Sequence, residues 1–142
     1  MKEIRRILIY RIGNLGDIVC AIPAMVAIRQ HFSEAKISLL TNKESTGNPD
    51  AEEILKGNNF LDDIITYDPS RLQEFRYVID ILKKLRSLGV DLLVYLSISE
   101  SSRRRILRDW LFFRLSGCKK SIGFKLPKAV GTYMVHGIKL PL

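Results

Sequence analysis

RIGNLGDIVCAIPAMVAIRQHF, residues 11–32, decides the fold. It begins at the end of an apolar run, Arg5–Arg11 (RRILIYR), passes two glycines, Gly13 and Gly16, and meets one carboxylate, Asp17. From there Ile18, Ala21, Ile22, Met25, Ile28 and Phe32 recur at three- and four-residue steps, while Arg29, Gln30 and Ser33 face away. That spacing describes an amphipathic helix. The preceding run is continuously apolar rather than alternating, which suits a central parallel strand covered on both faces. Pro23 either starts the helix proper, in its first turn, or kinks it.

The same alternation continues along the chain. Lys36–Thr41 (KISLLT) reads as a second strand and Pro49–Gly57 as a short helix, with early acids for the dipole and Gly57 as the stop. Asp62–Tyr67 is a third strand. Ser70–Leu88 is a longer helix with Leu72, Phe75, Val78, Ile79, Leu82 and Leu85 on one side, closed by Gly89. Val90–Leu96 is a fourth strand, Ser102–Leu115 a helix ended by Gly117, and Lys119–Phe124 a fifth strand. The tail to Leu142, with Gly131, Gly137 and two prolines, reads as loop or an incomplete element. Strands alternating with helices predict an α/β fold, a Rossmann-like open and mostly parallel sheet with helices on both faces. No domain boundary is visible, so 1–142 reads as a single domain.

Composition narrows the function classes. Cys20 and Cys118 lie far apart, His31 and His136 are isolated, and none has metal-ligand spacing. A zinc or histidine-based catalytic centre has no basis in the sequence. No apolar run approaches the roughly 20 residues of a membrane span, and the N-terminus lacks signal-peptide features. The expected location is cytoplasmic. The net charge of +8 is uneven. Residues 1–100 hold 13 Lys and Arg against 14 Asp and Glu; residues 101–142 hold 10 against Asp109 alone. Such asymmetry suggests an anionic partner or a solvated face.

In an open α/β sheet, ligands bind at the carboxyl ends of the strands, where Ile12–Asp17 falls. The G-x-x-G of Gly13 and Gly16 lacks the third glycine of the dinucleotide fingerprint and any Walker-type lysine. A phosphate at this helix N-terminus would meet Asp17. The acid is therefore either a helix cap or a carboxylate held at the mouth of a cleft. In the second case it can accept a proton from a hydroxyl that acidifies as it bonds to an electron-poor carbon.

The residues also carry a resemblance. Gly16-Asp17, Pro23, Ile28-Arg29 and Ala35-Lys36-Ile37-Ser38-Leu39-Leu40 resemble the opening of the family 9 glycosyltransferases, the lipopolysaccharide heptosyltransferase group. Val90-Asp91-Leu92-Leu93-Val94 and the segment Arg114 to Phe124 (RLSGCKKSIGF) resemble later parts of that family. The resemblance implies a GT-B enzyme with two Rossmann-like domains, of which this chain is the N-terminal, acceptor-binding half. It implies inverting, metal-independent transfer of a sugar such as heptose, with no cofactor. The nucleotide-sugar donor, of the ADP-heptose kind, would be bound mainly by a C-terminal domain absent from this chain, so the fragment alone is expected to be nearly inactive. Asp17 carries over as the general base. Family members have an Asp and a Gln/His-Gly pair after the fourth strand; here Tyr95-Leu96-Ser97-Ile98-Ser99-Glu100 stands instead, so acceptor choice does not carry over.

Around Asp17, the expected acceptor-binding residues are Asn14, Gly16, Arg71, Arg103 and Arg104. Asn14 can orient a ligand or stabilise the turn. Arg71 sits near a strand end. The run Ser101-Ser102-Arg103-Arg104-Arg105 opens a helix as an anion site or a solvated face. Arg108 and Arg114 are expected to flank Trp110, Leu111, Phe112 and Phe113, read as core with a membrane or domain interface as the lesser alternative. The expected partners are an anionic glycan or glycolipid acceptor, the donor domain and the inner face of the cell membrane, with no nucleic acid. Two rival functions remain: a basic nucleic-acid-binding module, against which stands the lack of any RNA-binding motif, and a free-standing nucleotide-binding Rossmann domain.

Overall fold

A computed structural model describes residues 3–44, 49–96, 102–118 and 120–124. Five parallel strands form one sheet: β1 (Arg6–Tyr10), β2 (Lys36–Asn42), β3 (Asp63–Tyr67), β4 (Leu92–Tyr95) and β5 (Lys120–Ile122). Their order is β3-β2-β1-β4-β5. Register is set by pairs such as Ile7 with Ile37 and Ile7 with Leu92. The order reverses at β1, so the carboxyl ends of β1 and β4 flank the crevice where ligands of open α/β sheets bind.

Four helices cover the sheet: α1 (Leu15–His31), α2 (Ala51–Ile54), α3 (Phe75–Leu88) and α4 (Arg103–Leu115). Successive β1 side chains point to opposite faces, and the core divides accordingly. Ile7 and Ile9 pack with Ile18, Met25 and Ile28 of α1, while Leu8 and Tyr10 pack with Leu85 of α3 and Phe113 of α4. The Rossmann-like reading therefore holds, with helices on both faces. Among the described residues no helix is long and apolar enough to cross a membrane.

Several local expectations are corrected. α1 begins at Leu15 and runs through Pro23. Pro23 is exposed, so the carbonyl of Val19, deprived of its amide partner, faces the solvent side of the helix. Arg29 does not idle on the surface: its guanidinium bonds Phe60 O, Ala35 O and Asp62 Oδ2. The 49–57 helix shortens to one turn, because Asn58 caps Leu55 O and receives the amides of Phe60 and Leu61. The 70–88 helix starts at Phe75. Asp68 takes the amide and hydroxyl of Ser70 and closes a separate 3₁₀ turn, Pro69–Arg71. Of Trp110–Phe113, Phe113 alone is buried, and Leu111 is exposed. Gly89 does close α3, in the left-handed region with φ +61°. Ser97–Glu100 and the tail 125–142 lie outside the described residues.

Candidate active site

β1 delivers Arg11 to the switch point, and the next three residues turn the chain into α1. Gly13 has φ +133°, a conformation that L side chains rarely adopt. A Cβ there would also stand 2.2 Å from Asp17 Oδ2. The glycine is thus what lets the acid fold back over the loop. Its amide donates to Asn42 Oδ1 at 2.9 Å, tying the loop to the end of β2.

Asp17 is held at three points. Oδ2 accepts from the Asn14 amide at 2.8 Å. Oδ1 faces Arg11 Nη2 at 3.3 Å, and the Asp17 carbonyl accepts from Arg11 Nε at 3.2 Å. Arg11 is itself buried, 8% exposed, and donates through Nη1 to Leu96 O at the end of β4. One guanidinium therefore joins β1, β4 and the first turn of α1. The Asp17 side chain retains 30% exposure. Each carboxylate oxygen has two lone pairs, so both can accept a further hydroxyl.

Beside Asp17 lies an open groove of about 410 Å3. Gly13, Asp17 and Asn42 form one side; Tyr67, Pro69 and Leu72 form another; Arg105 and Arg108 reach in from α4. Tyr10 and Ile12 complete the lining. The Tyr10 and Tyr67 hydroxyls stand 3.5 Å apart. Burial pushes the Tyr10 phenol well above its usual range, with Tyr67 adding to it, and burial raises Tyr67 too. Behind them Tyr95 donates to Asp109 Oδ2 at 2.7 Å, and Arg108 donates to Asp109 Oδ1 at 3.3 and 3.1 Å. The buried acid is thereby compensated and fixes Arg108 at the groove.

A solved structure described as a glycosyl transferase family 9 protein from Veillonella parvula DSM 2008 matches the chain with a TM-score of 0.64 and 16% identity. The match covers 87% of this chain and 33% of that one. A family 9 glycosyltransferase shares this fold. At that identity the likeness speaks for the fold alone, and the chain spans about a third of the neighbour's length. No family model matches the chain, and no curated protein matches it.

The expected site residues separate in space. Asp17 lines the groove, with the Asn14 amide bonded to it. Gly16 is exposed, with open space where a Cβ would lie. Arg71 pairs with Glu74 at 3.1 and 3.0 Å and covers the Tyr77 ring at 4.3 Å, so its neighbours Pro69 and Leu72 line the groove in its place. Of the arginine cluster, Arg103 and Arg104 are exposed on the first turn of α4, while Arg105 lines the groove, joined there by Arg108. Arg108 thus serves the groove rather than flanking an apolar patch. Sequence reading missed Arg11, Asn42, Tyr10 and Tyr67. The i, i+3 spacing of Arg105 and Arg108 was the available signal for a shared helix face.

Proposed function

We propose that this chain is the acceptor-side domain of an inverting, metal-independent GT-B glycosyltransferase that transfers a sugar, of the heptose kind, from a nucleotide-sugar to a lipopolysaccharide or other surface-glycan acceptor. One observation carries the reading: among the described residues lining the groove at the sheet's switch point, Asp17 has the one carboxylate, and it is fixed but partly open. The fold likeness to a family 9 glycosyltransferase supports the reaction class.

In this reading the acceptor hydroxyl enters the groove and hydrogen-bonds to Asp17. Its oxygen forms the bond to the anomeric carbon as the bond from that carbon to the donor's phosphate oxygen breaks. The nucleoside diphosphate leaves with that electron pair, and the hydroxyl proton passes to Asp17. Arg11 keeps the carboxylate aimed. Arg105 and Arg108 favour an acceptor that carries a phosphate or carboxylate. The donor's pyrophosphate belongs to a second domain, since a carboxylate stands where this loop would cradle it.

The test is sugar transfer by the chain joined to a family 9 donor-binding domain. Asp17→Asn is expected to lower kcat by about 100-fold or more with the fold intact; unchanged kcat ends the assignment. For the chain alone, a phosphorylated glycan should shift the Gly13 and Asn42 amide resonances, and an ADP-sugar should not. The reverse pattern would replace this reading with a nucleotide-binding one.

A further inference from the structure

Asn42 ends β2 beside the Asp17 loop, and the two ends of its carboxamide have different work. Oδ1 accepts the Gly13 amide at 2.9 Å. A backbone N–H is met by the oxygen of a carboxamide and not by its nitrogen, so this contact fixes which way the group is turned. Nδ2 is left with two N–H donors and no hydrogen-bond partner among the described residues. Asn42 is half-buried and lines the groove. Among the described residues no side-chain nitrogen or oxygen is both sealed from solvent and unpartnered, so Nδ2 is open to solvent. Gly13 also touches the carboxylate: Asp17 Oδ2 fills the space where a side chain on Gly13 would stand. One glycine thus sets a fixed acceptor, the carboxylate, beside a fixed donor, the carboxamide.

We infer that Asn42 selects the hydroxyl pattern of the acceptor: Nδ2 donates to the oxygen of the hydroxyl next to the one that meets Asp17, so the groove takes a vicinal diol in preference to an isolated alcohol. The inference rests on the acceptor reading of the groove. An ionised carboxylate only accepts, Nδ2 only donates, and a hydroxyl does both. The reacting hydroxyl gives its proton to Asp17 and needs a lone pair for the new bond. A donor on that same oxygen would draw electron density from it. The neighbouring hydroxyl carries no such duty. It accepts from Nδ2 and turns its own proton to a remaining lone pair of the carboxylate. The other polar side chains of the lining serve elsewhere: the Tyr67 hydroxyl is engaged with Tyr10, and Arg105 and Arg108 suit an anionic group. The tie to Gly13 holds the donor in place before a ligand arrives, and a donor so placed registers the loss of a substrate hydroxyl. Because the groove is open, water can replace that hydroxyl, so the preference is about tenfold and not the larger ratio of a sealed site.

The experiment titrates the full chain with methyl α-mannoside 6-phosphate, whose free hydroxyls stand on adjacent carbons, and with its 3-deoxy form, in which no two hydroxyls are adjacent. Binding is followed by NMR at the Gly13 backbone amide and the Asn42 side-chain amide. The parent chain should bind the first probe about tenfold more tightly, and the Asn42 side-chain protons should shift with the first probe alone. That arm needs no variant. Asn42→Asp keeps an oxygen for the Gly13 amide and removes both donors. Its added charge weakens both phosphates alike, so the ratio of the two affinities is the readout, and it should fall to about twofold or less. A role confined to holding the loop would leave that ratio where it stands in the parent. Equal affinity of the parent for both probes, or a tenfold preference that survives Asn42→Asp, would overturn this inference and leave the acceptor reading standing. No shift at Gly13 with either probe would overturn both.

Discussion

Two aspartate–arginine pairs stand at opposite edges of the sheet. At the amino edge Asp62, just before β3, uses one oxygen for both the Arg29 guanidinium at 2.6 Å and the Ile37 amide at 2.7 Å. At the carboxyl edge Asp17 divides its partners, one oxygen for the Asn14 amide and the other for Arg11 at 3.3 Å. The chemistry is nearly the same and the placement is not. Asp62 fastens the starts of two strands to α1, where an open parallel sheet binds nothing. Asp17 faces the groove at the switch point. An acid and a base in contact thus say little about function until the strand end that holds them is known.

The largest effect that can break this comparison is on turnover. Asp17→Asn should remove about two orders of magnitude of transfer, and Asp62→Asn should leave kcat within about twofold. Equal losses from both would mean that Asp17 is only a structural cap.

Next comes Arg11→Met. It removes the arginine's hydrogen bonds to Leu96 O, to the Asp17 carbonyl and to Asp17 Oδ1. A cost of about 2–3 kcal/mol is expected in urea unfolding, and turnover should fall even where the variant is folded. Gly13→Ala is expected to cost about 1–3 kcal/mol, since the backbone is in the left-handed half of the map and the new methyl meets Asp17. Its acceptor affinity should drop as the carboxylate is displaced.

The smallest effect is on Asp62 and acid. Burial opposes its charge, but the Ile37 amide and Arg29 prevail and hold its carboxyl below the usual carboxylate range. A lowered folded-state value gives stability that is present above the unfolded value, about pH 4, and is lost as pH falls further. Because the Asp62 side chain is 43% exposed, the contribution after screening is about 1 kcal/mol or less. The stability gap between parent and Asp62→Asn, followed by thermal melting, should therefore close below about pH 4.

Much of the fold was legible because it rests on continuous apolar strands and on helical spacing, which report burial directly. The errors lie where side chains compete with that pattern. Asp68 capping Ser70 delayed α3, and Asn58 cut the second helix short. At the site Asp17 was readable because a lone acid interrupts a phosphate-binding arrangement. Arg11 was not, because an arginine after a strand looks like any solvated flank, whereas here it is buried across two strand ends. The helix phase that sends Arg105 and Arg108 to the groove and Arg103 and Arg104 outward depends on Asp109 pointing inward, and the burial of a charged residue has no signature in its spacing.

The tyrosine wall has a consequence for alkaline solutions. Tyr10 and Tyr67 keep their protons to higher pH than free phenols, and the described lining holds no histidine, lysine or cysteine. These two phenols are therefore expected to ionise only above the range of free tyrosine, and a rate profile followed to about pH 10 should show no limb from them.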